Sequence, residues 1–168
     1  MSQNSFLGSS ERSFVNWDSL LAIIRGAAMP GGKLAGIALV ESVAPPEQSV
    51  FPVVGVQFSD YAETAFGNRQ HKVVSTFDIV VAVVQKFDAR HPIVDTTAAA
   101  LAQLRPFVND GIGNGMSPLL RGNPTLGGAC YRSFIQSMRY MVGQNAGSSA
   151  GTLATAVYTY VCEDMVKF

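Results

Sequence analysis

The stretch "KVVSTFDIVVAVVQKF", residues 72–87, carries the strongest strand pattern in the chain. Its odd positions from 73 to 83 are apolar except for Ser75, whereas its even positions include Lys72 and Asp78 and become apolar from Val80 onward. Alternation with a period of two residues is typical of a strand with one buried face. We therefore predict a long strand here, buried on one face in its first half and on both faces in its second half.

Weaker strand patterns and two helical patterns surround this stretch. In the first helical pattern Phe14, Trp17 and Leu20 recur at three- and four-residue spacing, which places them on one helix face. The order of helix, strands, helix and strands favours an α+β fold, in which two principal helices pack on one face of a mainly antiparallel sheet. Strands are predicted at 37–43, 51–58, 129–142 and 153–163, and helices at 13–25 and 95–109.

Glycine, proline and polar residues mark the expected ends of these elements. Gly26 is predicted to end the first helix, Asp95 to cap the second, and Pro106 to kink or break the second. Residues 60–71 and 143–151 are predicted to be polar loops between strands.

Length and composition bound the class of protein. The 168 residues are expected to form one domain at 13–168, preceded by a flexible, Ser-rich tail at 1–12. Charged residues make up only 14% of the chain, against about 25% in a typical domain, which favours a surface partly covered by a partner. Twelve basic residues balance twelve acidic ones, so binding of nucleic acid through its phosphates is not expected.

Apolar runs and cysteines indicate a protein of a reducing compartment, outside membranes. The longest apolar run, 79–84, is too short to span a bilayer, and the polar start of the chain lacks the pattern of a signal peptide. Cys130 and Cys162 are expected on strands as reduced, buried thiols, and a cross-strand pair stays open.

Motifs for catalysis and phosphate binding fail on their context. "GSSAG" (147–151) has the G-x-S-x-G pattern around Ser149, but it joins two predicted strands, and both histidines, His71 and His91, precede it. "GAAMPGGKL" (26–34) lacks the phosphate-loop spacing and has Leu34 in place of a hydroxyl residue. We therefore assign no catalytic, cofactor-binding or metal-ligating residue, and expect that the protein is not an enzyme and needs no cofactor.

Several segments, taken in chain order, resemble one known family. They are the amphipathic helix "FVNWDSLLAIIRG", the segment "VFPVVGVQFSDYAET" that opens a strand on Phe-Pro, the long strand "KVVSTFDIVVAVV", and the helix "AAALAQLRPFVNDG" that precedes the strand "LATAVYTYVCEDM". Together they cover most of residues 13–165. In order and spacing they resemble the tail terminator (tail completion) proteins of long-tailed bacteriophages.

The resemblance implies a structural virion protein of the phage neck. Its implied assembly is a homohexameric ring that caps the tail tube, stops its polymerisation and joins the tail to the head-tail connector protein. The implied partners are other copies of the chain, the tail tube protein and the connector. DNA would pass through the lumen without sequence-specific binding, and no membrane is involved. The implied location is the virion tail or neck, and the host cytoplasm during assembly.

Other functions stay open at this point. A head-completion or connector protein, or a tail tube protein of the same virion, has similar size and composition. A small ligand-binding α+β domain is a more distant alternative.

Interface residues are predicted at a strand edge, in the polar loops and on the last strand. Pro52 should lie at a strand beginning or on a sheet edge, because it has no N–H group for the ladder. The two polar loops are expected to order on contact with the tube or the connector. Tyr158 and Tyr160 share a face and, with Phe134 or Tyr140, form either core or interface. The candidate interface residues are Phe51, Pro52, Asp60, Tyr61, Arg69, His71, Tyr158 and Tyr160.

Overall fold

A five-stranded sheet forms the centre of the fold. The computed structural model describes residues 9–41, 50–65, 67–87, 93–145 and 151–167. The strands lie side by side in the order β1-β2-β3-β5-β4. Only β1 and β2 are parallel, and every other neighbouring pair is antiparallel. The strands are β1 (Leu39–Glu41), β2 (Val53–Ala65), β3 (Gln70–Lys86), β4 (Arg132–Asn145) and β5 (Gly151–Lys167).

Helices cover one face of this sheet. They are α1 (Ser9–Ala27), α2 (Ile93–Val108) and the short α3 (Met116–Arg121), followed by a 3-10 turn at Leu126–Gly128. Leu20 of α1 and Leu104 of α2 join the same buried cluster as Phe77 of β3 and Tyr158 of β5. The predicted α+β fold, with two principal helices packed on a mainly antiparallel sheet, is confirmed.

The face of β3 that points away from the helices is only partly buried. Phe77, Ile79 and Val81 on the helix side are fully buried, as their alternation predicts. On the opposite face, Ala82 is buried, whereas Val80 is only partly so. No described helix packs on that face. The predicted burial of both faces in the second half of this strand is therefore found only at Ala82. Neighbouring strands, rather than a second layer, cover this small side chain.

Several predicted boundaries are wrong. The second strand runs on to Ala65 instead of ending at 58, because its polar half keeps its backbone ladder with β3 from Asp60 to Ala65. The second helix begins at Ile93, so Asp95 lies inside it rather than capping it, and it continues through Pro106 to Val108. Because Pro106 is only two residues from the helix end, the lost hydrogen bond does not stop the last turn.

Smaller differences concern α1 and the cysteines. The helix α1 begins at Ser9, four residues earlier than predicted, and passes through Gly26. Cys130 precedes β4 in a turn and does not lie on a strand. Ser149 and His91, which the sequence motifs singled out, lie outside the described residues, as do residues 146–150 of the predicted loop at 143–151. The two ends of that predicted loop are strand instead, because residues 143–145 continue β4 and Gly151 begins β5.

Candidate interaction surface

The strand β4 has one free edge along its whole length. It is the last strand of the sheet, and 13 of its 14 residues pair with β5, the exception being Gln136 at a register shift. No described strand pairs with its other side. The unpaired N–H and C=O groups of a long edge strand are a template for pairing with another chain.

Apolar side chains are exposed on both faces of β4. Met138 and Tyr140 lie opposite buried residues of β5 on the helix side, whereas Phe134 and Met141 lie on the other face. A register shift between Ile135 and Ser137 separates these groups, so Phe134 does not share a face with Tyr140 as simple alternation predicts. The exception among the six large apolar residues of β4 is Ile135, which packs against the core. The other five are between 37% and 54% exposed: Phe134, Met138, Tyr140, Met141 and Val142.

A groove runs between α2 and the helix side of β4. Leu101, Arg105 and Val108 of α2 form one wall, and Tyr140 of β4 forms the other, with Asn109 at its end. Its volume is about 390 Å³. Side chains alternate across a strand, so alternate side chains of a strand added to β4 would project to the helix side of the sheet, where this groove lies.

The outer half of β2 forms a second free edge. The strand β1 pairs only with residues 53–55, and residues 57–65 have no described neighbour on that side. Asp60 lies just after a register shift in this segment and is exposed. Glu63 accepts a hydrogen bond of 2.7 Å from the Tyr61 hydroxyl and also pairs with His71 Nδ1. The predicted residues Asp60, Tyr61 and His71 therefore lie on paired strands, not in a loop.

The remaining predicted interface residues are dispersed. Arg69 is exposed in the short turn between β2 and β3. Phe51 and Pro52 are partly buried immediately before β2, so Pro52 occupies the predicted strand beginning. The Pro52 carbonyl accepts a hydrogen bond of 2.9 Å from the Ala38 N–H. This contact places Pro52 beside β1 rather than on an open edge.

Tyr158 and Tyr160 belong to the core of the chain. Both side chains are fully buried under the helices. The Tyr158 hydroxyl lies 2.8 Å from Ser117 Oγ, and the Tyr160 hydroxyl donates a bond of 2.6 Å to Ser133 Oγ. Burial raises the pKa of Tyr158 to about 12. Their prediction as interface residues is corrected, because they present no surface to a partner.

An ion-pair cluster holds the beginning of β4. Glu163 of β5 binds Arg132 through one carboxylate oxygen and Lys72 Nζ, at 2.9 Å, through the other. The hydrogen bond from Arg132, followed by that from Lys72, lowers the pKa of Glu163. The Tyr131 N–H donates to the Glu163 carbonyl at 3.0 Å. With both oxygens bound to cations, this carboxylate anchors the edge strand and is poorly suited to proton transfer.

The two cysteines form a buried pair beneath this corner. Both are free thiols. The hydrogen bond between them lowers the pKa of Cys130 and raises that of Cys162, and burial adds to the second effect. Among the described residues, no group of His, Cys, Asp and Glu side chains could hold a metal ion.

The hydrogen-bonded loop between α2 and α3 displays an exposed apolar residue. The carboxylate of Asp110 accepts hydrogen bonds of 2.9 Å from the N–H groups of Ile112 and Asn114. Lys33 Nζ donates to the Gly113 carbonyl at 2.7 Å, which ties the loop to the turn that follows α1. Ile112 is 86% exposed, and Met29 in the neighbouring turn is 63% exposed.

Sequence reasoning did not select the β4 edge, the groove or Ile112. The exposed residues of β4 have the same apolar alternation as a buried strand, and the position at the edge depends on strand order. Only the Gly-rich composition of residues 109–115 gave a local signal, and it indicated a turn.

Comparison with known proteins assigns no family to the chain. No protein-family model matches the sequence, and no curated protein matches it. Among the described helices, none has the length and apolar character needed to cross a membrane.

Proposed function

We propose that the chain is a structural protein of the bacteriophage neck, which forms a ring, caps the tail tube and joins the tail to the head connector. The observation that carries this proposal is the free edge of β4, 14 residues long and apolar on both faces. Sheet edges are commonly blunted by short strands, proline, charged side chains or bulges. The strand β4 has two arginines and one register shift, but it is long, contains no proline and exposes apolar side chains on both faces. An edge left open in this way suits a protein that completes its sheet in an assembly.

The architecture agrees with this proposal. The tail terminator resemblance implies two helices packed on a largely antiparallel sheet, which is the fold of the described residues. The ion pairs of Glu163 fix the start of β4, so the electrostatics of this corner support a rigid edge. Rigid contact surfaces lose less entropy on association than mobile ones.

The proposed mechanism is steric. In a closed ring, the lateral edges of each sheet would be used by neighbouring copies, so growth could continue only along the ring axis. One end of the ring would dock on the last tube ring, and the other end would present a different surface to the connector. The loop with Ile112, together with Met29 in the neighbouring turn, is our candidate for such a docking surface, because it exposes apolar side chains on a hydrogen-bonded backbone.

The test combines native mass, negative-stain images and a tube-length assay. We expect a single ring of six copies that does not lengthen, and shorter tubes when it is added to polymerising tail tube protein. Open tubes formed by the chain itself would identify a tail tube protein instead. A ring that binds connector without limiting tube length would identify a connector protein. A monomer that leaves tube length unchanged would refute the proposal.

A variant pair sharpens this test. Tyr140→Asp places a charge on the exposed apolar edge of β4 and should abolish both the ring and tube capping while leaving the fold intact. Phe14, 59% exposed on α1, gives the matched control, and Phe14→Asp should retain both activities. Equal effects of the two variants would show that the β4 edge has no special part in assembly.

A further inference from the structure

The two free edges of the sheet lie on opposite sides of the same chain. One is β4, and the other is the 57–65 segment of β2, which β1 leaves unpaired. We propose that β4 of one copy pairs with the 57–65 segment of the next copy, so that the sheet continues from subunit to subunit. This inference rests on the proposed function, since it assigns the contact that would close the proposed ring.

Strand direction makes this contact geometrically simple. The strand β3 runs antiparallel to β2, β5 to β3, and β4 to β5, so β4 runs opposite to β2. A rotation about an axis roughly along the strands preserves the direction of each strand. The β2 strand of the next copy would therefore run antiparallel to β4, which is the pairing used by most of the sheet. Contacts between two different surfaces are heterologous and generate a ring when the rotation closes.

The two edges carry opposite charge. The sequence of β4, RSFIQSMRYMVGQN, contains Arg132 and Arg139 and no acidic residue. The segment 57–65, QFSDYAETA, contains Asp60 and Glu63 and no basic residue. Arg139 forms no ion pair with any described residue, and both Arg139 and Asp60 are exposed. Opposite charges on neighbouring strands favour their pairing.

These two charges also lie on the same face of the sheet. Asp60 is opposite Thr76, and Arg139 is opposite Val157, both on the face away from the helices. The faces of a continuous sheet are preserved across the subunit boundary, so Asp60 and Arg139 would project to the same side. Arg132 lies on this face as well, but it is already paired with Glu163, so among the described residues Arg139 supplies the unpaired positive charge of β4.

On the helix side, the groove offers space for the neighbouring strand. Tyr61 lies opposite Ser75 and therefore projects to the helix side of β2. In the proposed pairing it would enter the groove between α2 and β4, against Leu101 and Tyr140. An aromatic ring buried between apolar side chains, with its hydroxyl at the rim, is a common interface anchor.

The main competing contact is a two-fold pairing of β4 with β4 of a second copy. It would cover the same apolar residues, but it would bring arginines of the two copies onto one small surface and leave the 57–65 edge open. Like charges placed opposite each other destabilise a strand pair. The charge pattern therefore favours the β2 segment of the next copy over a second β4.

Hydrogen–deuterium exchange of the assembled wild-type protein tests the contact directly. We expect peptides from 57–65 and from β4 both to exchange more slowly in the ring than in the diluted monomer. Protection of β4 alone, in a dimer, would establish the two-fold pairing and overturn the inference. A ring in which neither edge gains protection would overturn the inference while leaving the proposed function standing.

Charge reversal supplies the second test. Arg139→Glu and Asp60→Lys should each raise the protein concentration needed for half-assembly by about fivefold or more, and the double variant should recover most of the loss. Arg25→Glu, an exposed charge at the end of α1, is the matched control. Additive losses in the double variant would contradict the contact. Rescue of ring formation without any shortening of tail tubes would uphold the contact and refute tube capping.

Discussion

The hydroxyl pair of Tyr160 and Ser133 should control the stability of the monomer rather than its assembly. Tyr160 is fully buried and donates to Ser133 Oγ at 2.6 Å. The Ser133 hydroxyl donates in turn to the Asn123 carbonyl at 3.2 Å. This chain of bonds links β5, β4 and the turn that precedes β4. We therefore consider the variants Tyr160→Phe and Ser133→Ala, alone and together.

The two single variants should differ in size. In Tyr160→Phe, Ser133 loses one bond but still donates to Asn123, so the free energy of unfolding should fall by about 1 kcal/mol. In Ser133→Ala, the buried Tyr160 hydroxyl keeps no acceptor, and an unsatisfied buried donor costs about 1–3 kcal/mol. In the double variant the stranded hydroxyl is gone, so its loss should be smaller than the sum of the single losses by about 1 kcal/mol.

Urea denaturation at a protein concentration that keeps the chain monomeric measures these values. Trp17, the single tryptophan, is a suitable probe because its indole N–H donates to the Val56 carbonyl in the partly buried contact of α1 with β2. Far-UV circular dichroism should give coincident transitions, which checks that unfolding has two states.

Two results would refute this reasoning. Strict additivity of the two losses would mean that the hydroxyls do not interact. A Tyr160→Phe variant with unchanged unfolding but impaired assembly would restore the interface prediction made from the sequence.

Three further predictions concern pH and backbone geometry. Burial raises the pKa of Tyr158 to about 12. The contribution of this shift to the free energy of unfolding is therefore complete below the ordinary tyrosine pKa and is lost as pH rises from about 10 to 12, at about 1.4 kcal/mol per pH unit. Alkaline unfolding titrations of wild type and Tyr158→Phe should differ in this slope. The Arg132 hydrogen bond lowers the pKa of Glu163. The stability that this bond gives is therefore present above the ordinary glutamate pKa and is lost as pH falls through the lowered pKa. Acid unfolding titrations of Glu163→Gln should lack this loss. Gly115→Ala should lower the thermal unfolding temperature more than Gly113→Ala does. Both glycines have positive φ (107° and 104°), but only the added methyl at Gly115 would lie 2.6 Å from a backbone carbonyl oxygen. Equal losses would contradict the packing at Gly115.

Local pattern was sufficient for the elements whose two faces differ strongly. Phe77 and Ile79 alternate with the polar residues Thr76 and Asp78, and both are fully buried. Leu20 and Ile24 of α1 recur at helical spacing and are fully buried as well. In these segments the hydrophobic effect acts on one face only, so the period of the sequence is the period of the structure.

Local pattern failed where backbone pairing, rather than side-chain burial, keeps a strand in place. Residues 59–65 of β2 are polar and largely exposed, and their sequence is typical of a loop. They form a strand because their backbone groups pair with β3 from Asp60 to Ala65. The partner of such a ladder is not encoded in the residues of one strand.

The sequence by itself determined which residues are apolar and with what period, and hence the helices, the main strands and the α+β class. The tertiary structure decided which apolar faces are buried. The C-terminal strand β5 inserts between β3 and β4, so Tyr158 and Tyr160 lie beneath the helices, whereas Met138 and Tyr140 lie at the rim of the sheet with similar alternation. Strand order is set by hydrogen bonds between distant segments, and these bonds leave one apolar strand in the core and another at an open edge.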